Sequence, residues 1–219
     1  MICFEDVKNN REVRAYIEAA DRSLIALGYT EHSFPHVTRA AEVAAYILSS
    51  LGYSERECEL ARIAGFLHDI GNLVNRVDHS QSGALMAFRI LDKMGMPPDE
   101  LSEVVTAIGN HDEGTGVPVN PISAALIIAD KTDVRRSRVR NSDTLSHDIH
   151  DRVNYSVESS ELTLDSENKT LTLTLTVDTA IGSVMDYFAI FLGRMNMCRR
   201  AAEALGLSFL LFVNGQKLL

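Results

Sequence analysis

From residue 10 to about residue 150, Leu, Ile, Val and Ala recur at three- and four-residue spacing between short loops marked by Gly and Pro, and after Tyr155 the spacing drops to two. A helical unit followed by a small strand-bearing unit is the architecture this switch allows. The first part divides into helices over about residues 10–27, stopped by Gly28, and 35–51, stopped by Gly52. Ser54 and Glu57 have the spacing of a capping box and open a third helix that runs to Gly71. Further helices are predicted over about residues 79–94, from Pro97 and Pro98 to Asn110, and 123–134, the last almost wholly apolar until Asp130. In the second part Leu171, Leu173, Leu175 and Val177 alternate with threonines, and the polar turn at 165–169 folds this strand back on a partner at 157–164. An amphipathic helix over about 181–205 and an apolar strand over 207–213 complete a ββαβ tail. The division is therefore a helical unit, residues 1–155, and a C-terminal ββαβ subdomain, residues 156–219, giving a mainly α fold with a small α+β appendage. Such a tail is too small to stand alone, so it packs on the helical unit or on a second subunit.

With 219 residues, 46% hydrophobic and 23% charged, the chain has enough material for a substantial core, and disorder is excluded. The net charge of −9 argues against a nucleic-acid polymer or an anionic membrane as partner. It is unevenly spread: residues 131–140 hold Lys131, Arg135, Arg136, Arg138 and Arg140 against Asp133, a local +4, leaving −13 elsewhere. Three widely spaced cysteines, Cys3, Cys58 and Cys198, fit free thiols in a reducing compartment. No apolar run reaches membrane-span length, and the first residues lack the pattern of a secretion signal, so a cytoplasmic location is expected.

Of seven histidines, four fall at loop–helix junctions beside carboxylates: His36, His68 next to Asp69, His79 and His111, followed by Asp130 at the end of the apolar helix. Taken singly, each histidine has a capping or surface role as the simpler explanation. Asp130 changes that balance, because a buried carboxylate costs several kcal/mol unless paired or metal-bound, and its helix offers no cation before it. Four imidazoles and two carboxylates can hold two transition-metal ions, whereas an all-oxygen magnesium site has no use for four histidines.

The ordered string is His36, then Ala-Gly-Phe-Leu-His-Asp-Ile-Gly-Asn at 64–72, His-Ser-Gln-Ser-Gly-Ala at 79–84, Asn-His-Asp-Glu-Gly-Thr-Gly-Val-Pro at 110–118 and Ile-Ile-Ala-Asp-Lys-Thr-Asp at 127–133. Over about residues 30–140 it resembles the HD superfamily of metal-dependent phosphohydrolases, with its His, His-Asp and distal Asp signature. The likeness is nearest to bacterial dinuclear HD hydrolases of diadenosine polyphosphates and partial to HD-GYP phosphodiesterases. It implies a helical HD bundle in which His36, His68, Asp69 and Asp130 form the core site with Asp69 bridging, and His79 and His111 complete a second metal site. The implied cofactors are two divalent ions, iron or manganese first, with zinc, nickel, cobalt or magnesium as alternatives. The chain departs from HD-GYP proteins at Asn110 and at Gly-Val-Pro, 116–118, which leaves cyclic-dinucleotide cleavage poorly supported.

The function this implies is cleavage of a phosphate ester or anhydride of a small molecule, of nucleotide class, by a hydroxide bridging the two ions. Lys131, Arg135 and Arg136 are the candidate phosphate-binding residues, Lys131 foremost, against the alternative of a solvated helix end. A solvated helix end is the preferred role for Arg138 and Arg140, and Arg39 is divided between cleft and surface. His32 is expected in a loop before Pro35, His147 and His150 are expected to be structural, and Asp112 or Glu113 is divided between proton donor and solvated loop. Two other functional classes stay open: a diiron HD-type oxygenase with the same ligands, and a regulatory module that binds metal or nucleotide without turnover. The tail is expected to mediate a homodimer or to cover the mouth of the site.

Overall fold

The computed structural model describes residues 1–140 and 149–219, so His147, with Asp143 and Asp148, lies outside the described residues. The helical part consists of α1 (Phe4–Lys8), α2 (Arg11–Ala26), α3 (Phe34–Ser50), α4 (Glu55–Leu67), a 3-10 turn (Ile70–Leu73), α5 (His79–Met94), α6 (Pro98–Gly109) and α7 (Pro121–Lys131). A second 3-10 turn (Arg136–Arg138) and α8 (Ile149–Ser156) lead into β1 (Val157–Asp165), β2 (Thr170–Val177), α9 (Val184–Ala204), β3 (Ser208–Val213) and β4 (Gln216–Lys217).

Local chemistry fixes the helix starts. The Asn10 side chain accepts from the amides of Glu12 and Val13, opening α2, and Ser54 and Glu57 satisfy each other's backbone N–H groups at the head of α4. Asn120 with Ser123, and Ser183 with Asp186, do the same for α7 and α9. The helix predicted to reach Gly71 stops instead at Leu67, with His68 as its cap, because the chain tightens into the 3-10 turn. That break separates His68 from α5 by a compact corner and lets both face one point.

α7 lies at the centre of the molecule. Residues 122–129 along it are at most 3% exposed, and it packs against α3, α4, α6 and α9. This all-round burial is why its sequence is apolar on every face. The sheet has the order β1-β2-β3-β4: β1 and β2 form the expected antiparallel hairpin, β2 and β3 run parallel through the α9 crossover, and β3 and β4 are antiparallel. The tail is thus ββαββ, its last strand being a two-residue ribbon closed at Asn214 and Gly215, both with positive φ. Leu171, Leu173, Leu175 and Val177 face inward as their alternation predicts. A single contiguous apolar core runs through the helices and the sheet, joined by Phe191, Met195 and Cys198 of α9. Among the described residues, no helix is long and apolar enough to cross a membrane.

Candidate metal centre

The six residues singled out from the sequence converge, and each stands at or beside a helix end. His36 is in the first turn of α3, His68 caps α4, Asp69 follows it, His79 opens α5, His111 lies just beyond α6 and Asp130 is the penultimate residue of α7. The four histidines are buried, Asp69 is 5% exposed, and the Asp130 side chain is 12% exposed toward a cavity. Helix ends bring side chains together without requiring any helix to pass through the site.

Each histidine is oriented by its Nδ1. In His68, His79 and His111 the Nδ1 lies 2.7, 3.0 and 2.7 Å from the carbonyl oxygen three residues earlier, on Gly65, Arg76 and Ile108. In His36 the partner is the Asp133 carboxylate, 2.8 Å away. A carbonyl can only accept, so those Nδ1 atoms donate, and each Nε2 is turned toward the centre, where its electron pair is open to a proton or a metal ion. This is the arrangement by which outer partners fix metal-binding imidazoles.

The Nε2 of His36 lies 3.5 Å from Asp69 Oδ2 and 3.3 Å from Asp130 Oδ1; that of His68 lies 3.3 and 3.7 Å from the same two oxygens. Ligands bonded at about 2.0–2.2 Å around a tetrahedral ion are separated by roughly 3.3–3.6 Å, so this donor set fits a cation. His36 Nε2, His68 Nε2 and Asp69 Oδ2 are buried and lack hydrogen-bond partners, a cost that a shared ion removes. Asp69 Oδ1 faces the other way, 3.4 Å from His79 Nε2, and accepts a 2.9 Å hydrogen bond from Asn72. The Nε2 atoms of His79 and His111 stand 3.2 Å apart with both lone pairs inward, a repulsive contact without a cation or proton between them. Among the described residues, two triads have ligand atoms mutually within 4.8 Å: His36, His68 and Asp130, and His68, Asp69 and His111. The residues therefore suit metal on both sides of Asp69.

The protonation pattern agrees. Burial would lower the His68 pKa, but Asp69 and Asp130 override it and raise it to about 10. Burial likewise opposes ionisation of Asp69 and Asp130, yet both carboxyls are held well below the usual range, the first by His68 and the second by Lys131, His36 and His68. Burial and the neighbouring His68 take His111 down to about 3, and burial lowers His79. The two carboxylates thus stay anionic beside the neutral imidazoles of His79 and His111, and a metal ion would take the His68 electron pair that a proton otherwise holds.

A cavity of about 470 Å³ opens over the centre, within the size range of small-molecule sites. Asp69, His79, Asp130 and Lys131 form one wall, joined by Arg76, Arg138 and Arg194, with Tyr29 and Phe191 as aromatic surfaces. The Lys131 ammonium is buried 2.8 Å from Asp130 Oδ2 and 3.4 Å from Glu113 Oε1; burial opposes its charge, but those carboxylates raise its pKa.

Arg135 and Arg136, expected to bind phosphate, are not among the residues lining this cavity. Arg135 donates to Asp133, at 3.0 Å through Nη2, and Arg136 donates at 2.6 Å to the Tyr155 carbonyl while stacking over the Tyr155 ring. The chain turns after α7, so of the three candidate phosphate-binding cations only Lys131 lines the cavity. Arg138, expected to be solvated, is 5% exposed and donates to the carbonyls of Glu31 and Asp133. Arg140 pairs with Asp21, and Arg39 holds Asp133 at 3.0 Å. His32 is in a loop as expected, but its ring packs edge-on to His36, 5.5 Å between centroids, and it lines the cavity. Asp112 is 3.9 Å from His79 Nε2, and His150 also lines the cavity.

Sequence reasoning missed Asp133 as the support of His36, Asn72 as the support of Asp69, and Arg76, Phe191 and Arg194 as cavity residues. Asp133 carried a usable signal, since it follows Asp130 by three residues at the end of a buried helix. Phe191 and Arg194 carried none, because their positions depend on how α9 docks.

Residues 34–136 match the family model of the HD domain, a segment that contains all six converging residues. An uncharacterized protein from Methanocaldococcus jannaschii is 25% identical over 160 residues, 63% of this chain; the chain spans 61% of that relative's length. The crystal structure of a predicted HD superfamily hydrolase from an uncultured Thermotogales bacterium aligns over 57% of this chain and 68% of that one, with 29% identity and a TM-score of 0.46.

Proposed function

We propose that this protein is a metal-dependent phosphohydrolase that cleaves a phosphate ester or anhydride of a small molecule of the nucleotide class. The observation that carries this reading is the convergence of three buried, partnerless donor atoms, on His36, His68 and Asp69, with Asp130, at the floor of a cavity lined by basic side chains. His36, His68, Asp69 and Asp130 would hold one divalent ion and Asp69, His79 and His111 a second, with iron or manganese best suited to mixed imidazole and carboxylate donors. Bound there, such ions supply activated water and neutralise charge on phosphoryl oxygens.

The protein's own residues do the rest. Asp69 presents one oxygen to each side of the centre, supported by Asn72. Lys131, the sequence candidate that stays in the cavity, meets the non-bridging oxygens, and Arg76 and Arg194 add positive potential around them. Tyr29, exposed at the cavity, offers a face on which a nucleobase stacks.

The test is a phosphate-release screen over mononucleotides, dinucleoside polyphosphates, cyclic dinucleotides and sugar phosphates, with manganese or iron supplied, run with and without oxygen. Release that is independent of oxygen is expected, and Asp69→Ala should abolish it together with the binding of both ions. Product formation that requires oxygen would overturn the hydrolase in favour of an oxygenase. Metal binding with no turnover of any phosphate compound would instead favour a regulatory module.

A further inference from the structure

We propose that Lys131 and Arg194 form an anion subsite for a phosphoryl oxygen of the substrate, and that the Glu113 carboxylate occupies this subsite until the substrate displaces it. The ligand's identity rests on the phosphohydrolase reading above.

Two cations from different parts of the chain converge on one oxygen. Lys131 Nζ lies 3.4 Å and Arg194 Nε 2.6 Å from Glu113 Oε1. Lys131 comes from the C-terminal end of α7, beside the metal-binding Asp130, whereas Arg194 comes from α9, beyond the segment that matches the HD domain. The Arg194 guanidinium lies over the Phe191 ring one turn earlier, 4.6 Å from its centroid, which limits its freedom before any ligand arrives. Lys131, Arg194 and Phe191 all line the cavity.

Burying an ammonium and half-burying a guanidinium side by side is costly without an anion between them. Glu113 supplies it from the solvent side, its side chain 36% exposed against 6% for Lys131. It stands in a loop pinned against α9. A Cβ added at Gly116 would meet the carbonyl oxygens of Asn110 and Asp112 at 2.4 Å and the Met197 methyl at 2.5 Å, so only glycine lets the loop approach that closely. A carboxylate carries one charge over two oxygens, whereas a phosphoryl group brings up to two charges over three. The phosphoryl group therefore wins the same two cations and frees Glu113 into solvent. The C-terminal part of the chain thereby contributes directly to substrate choice, favouring a ligand whose anionic part reaches beyond the metal-held phosphorus.

The full-length protein, loaded with manganese, would be titrated calorimetrically with inorganic pyrophosphate and with orthophosphate, and its manganese content measured for wild type, Arg194→Ala, Arg194→Lys and Glu113→Gln. Arg194→Ala should weaken pyrophosphate binding by about tenfold or more, and Arg194→Lys by less. Glu113→Gln should tighten it by about tenfold, because the competing charge is gone while the shape is kept. Manganese content should stay at the wild-type level in all three. Unchanged pyrophosphate affinity in Arg194→Ala, or weaker binding in Glu113→Gln, would overturn the proposal. So would a Glu113→Gln enzyme whose kcat falls while KM and pyrophosphate affinity stay constant, since that marks a proton donor. A protein that shows the expected order of affinities but releases no phosphate from any substrate keeps the subsite and loses the phosphohydrolase reading; turnover without that order does the reverse.

Discussion

Asp133 gathers four partners around one buried carboxylate: His36 Nδ1 at 2.8 Å, Arg39 Nε at 3.0 Å, and the guanidinium groups of Arg135 and Arg138. Burial would raise its pKa, but the hydrogen bonds from His36 and Arg135 hold it well below the usual carboxylate range. Its charge both orients the His36 ring and balances the guanidinium groups of Arg39, Arg135 and Arg138. Asp133→Ala should therefore weaken metal binding by about 10- to 100-fold, because His36 loses the partner that fixes its tautomer and direction. A competition titration against a metal-binding dye checks this, with Asn72→Ala as a parallel case acting on Asp69. The sign with pH follows from the depressed pKa. The stabilisation from Asp133 is fully present above the unfolded-state value of 3.8 and is lost as pH falls below it.

Between elements, the Ile70–Leu73 turn comes very close to α5 beside the site. A Cβ at Gly71 would lie 2.0 Å from the His79 carbonyl oxygen and 2.4 Å from the Gly83 amide nitrogen, both backbone atoms that cannot swing away. Gly71→Ala should cost about 1–3 kcal/mol and displace His79, with the His79-side ion lost first; denaturant unfolding and metal stoichiometry read the two effects separately. The same helix is tied to α2 at the surface. Glu12 accepts from Arg89 at 2.7 Å and Lys93 at 3.0 Å, and Lys93 followed by Arg89 lowers its pKa from 4.5 to about 2. A depressed carboxyl stabilises above the unfolded value and loses that contribution as pH falls through the folded one. Glu12→Gln should therefore lower the urea midpoint slightly at pH 7, and the difference from wild type should vanish near pH 2.

For the whole molecule, the docking of α9 on α7 unites the helical part and the sheet. Phe191 and Tyr187 are fully buried at this junction, and Cys198 is buried deeply enough for its thiol pKa to be pushed up to about 12. Phe191→Ala should cost about 3–5 kcal/mol and remove both a cavity wall and the surface that holds Arg194. Because one core spans both parts, helix signal and tyrosine environment should be lost in a single coincident thermal transition in wild type and variant alike. Two separated transitions would show that the tail unfolds on its own.

The helices, the hairpin and the six converging residues were legible in the chain because their signals are local. Apolar spacing marks which face is buried, Gly and Pro mark where helices stop, and the histidines and carboxylates stand at those stops. The mainly α fold with its small α+β tail followed from the same periodicities, and the ordered His and Asp string carried the HD resemblance that the match over residues 34–136 supports. The short elements were illegible: α1 and the two-residue β4 depend on contacts made elsewhere, and α8 has too little apolar pattern of its own. The basic run after Asp130 misled for a related reason. Charge density along a sequence does not say which way a turning backbone points each side chain, and the turn after α7 sends Arg135 and Arg136 away while keeping Lys131. What the sequence alone determined was the set of donors and their order. Only the tertiary structure decided how Nε2 atoms from four helix ends meet two carboxylates, and that Arg194, far along the chain, completes the cavity, because both depend on the packing of elements that carry no information about one another until they touch.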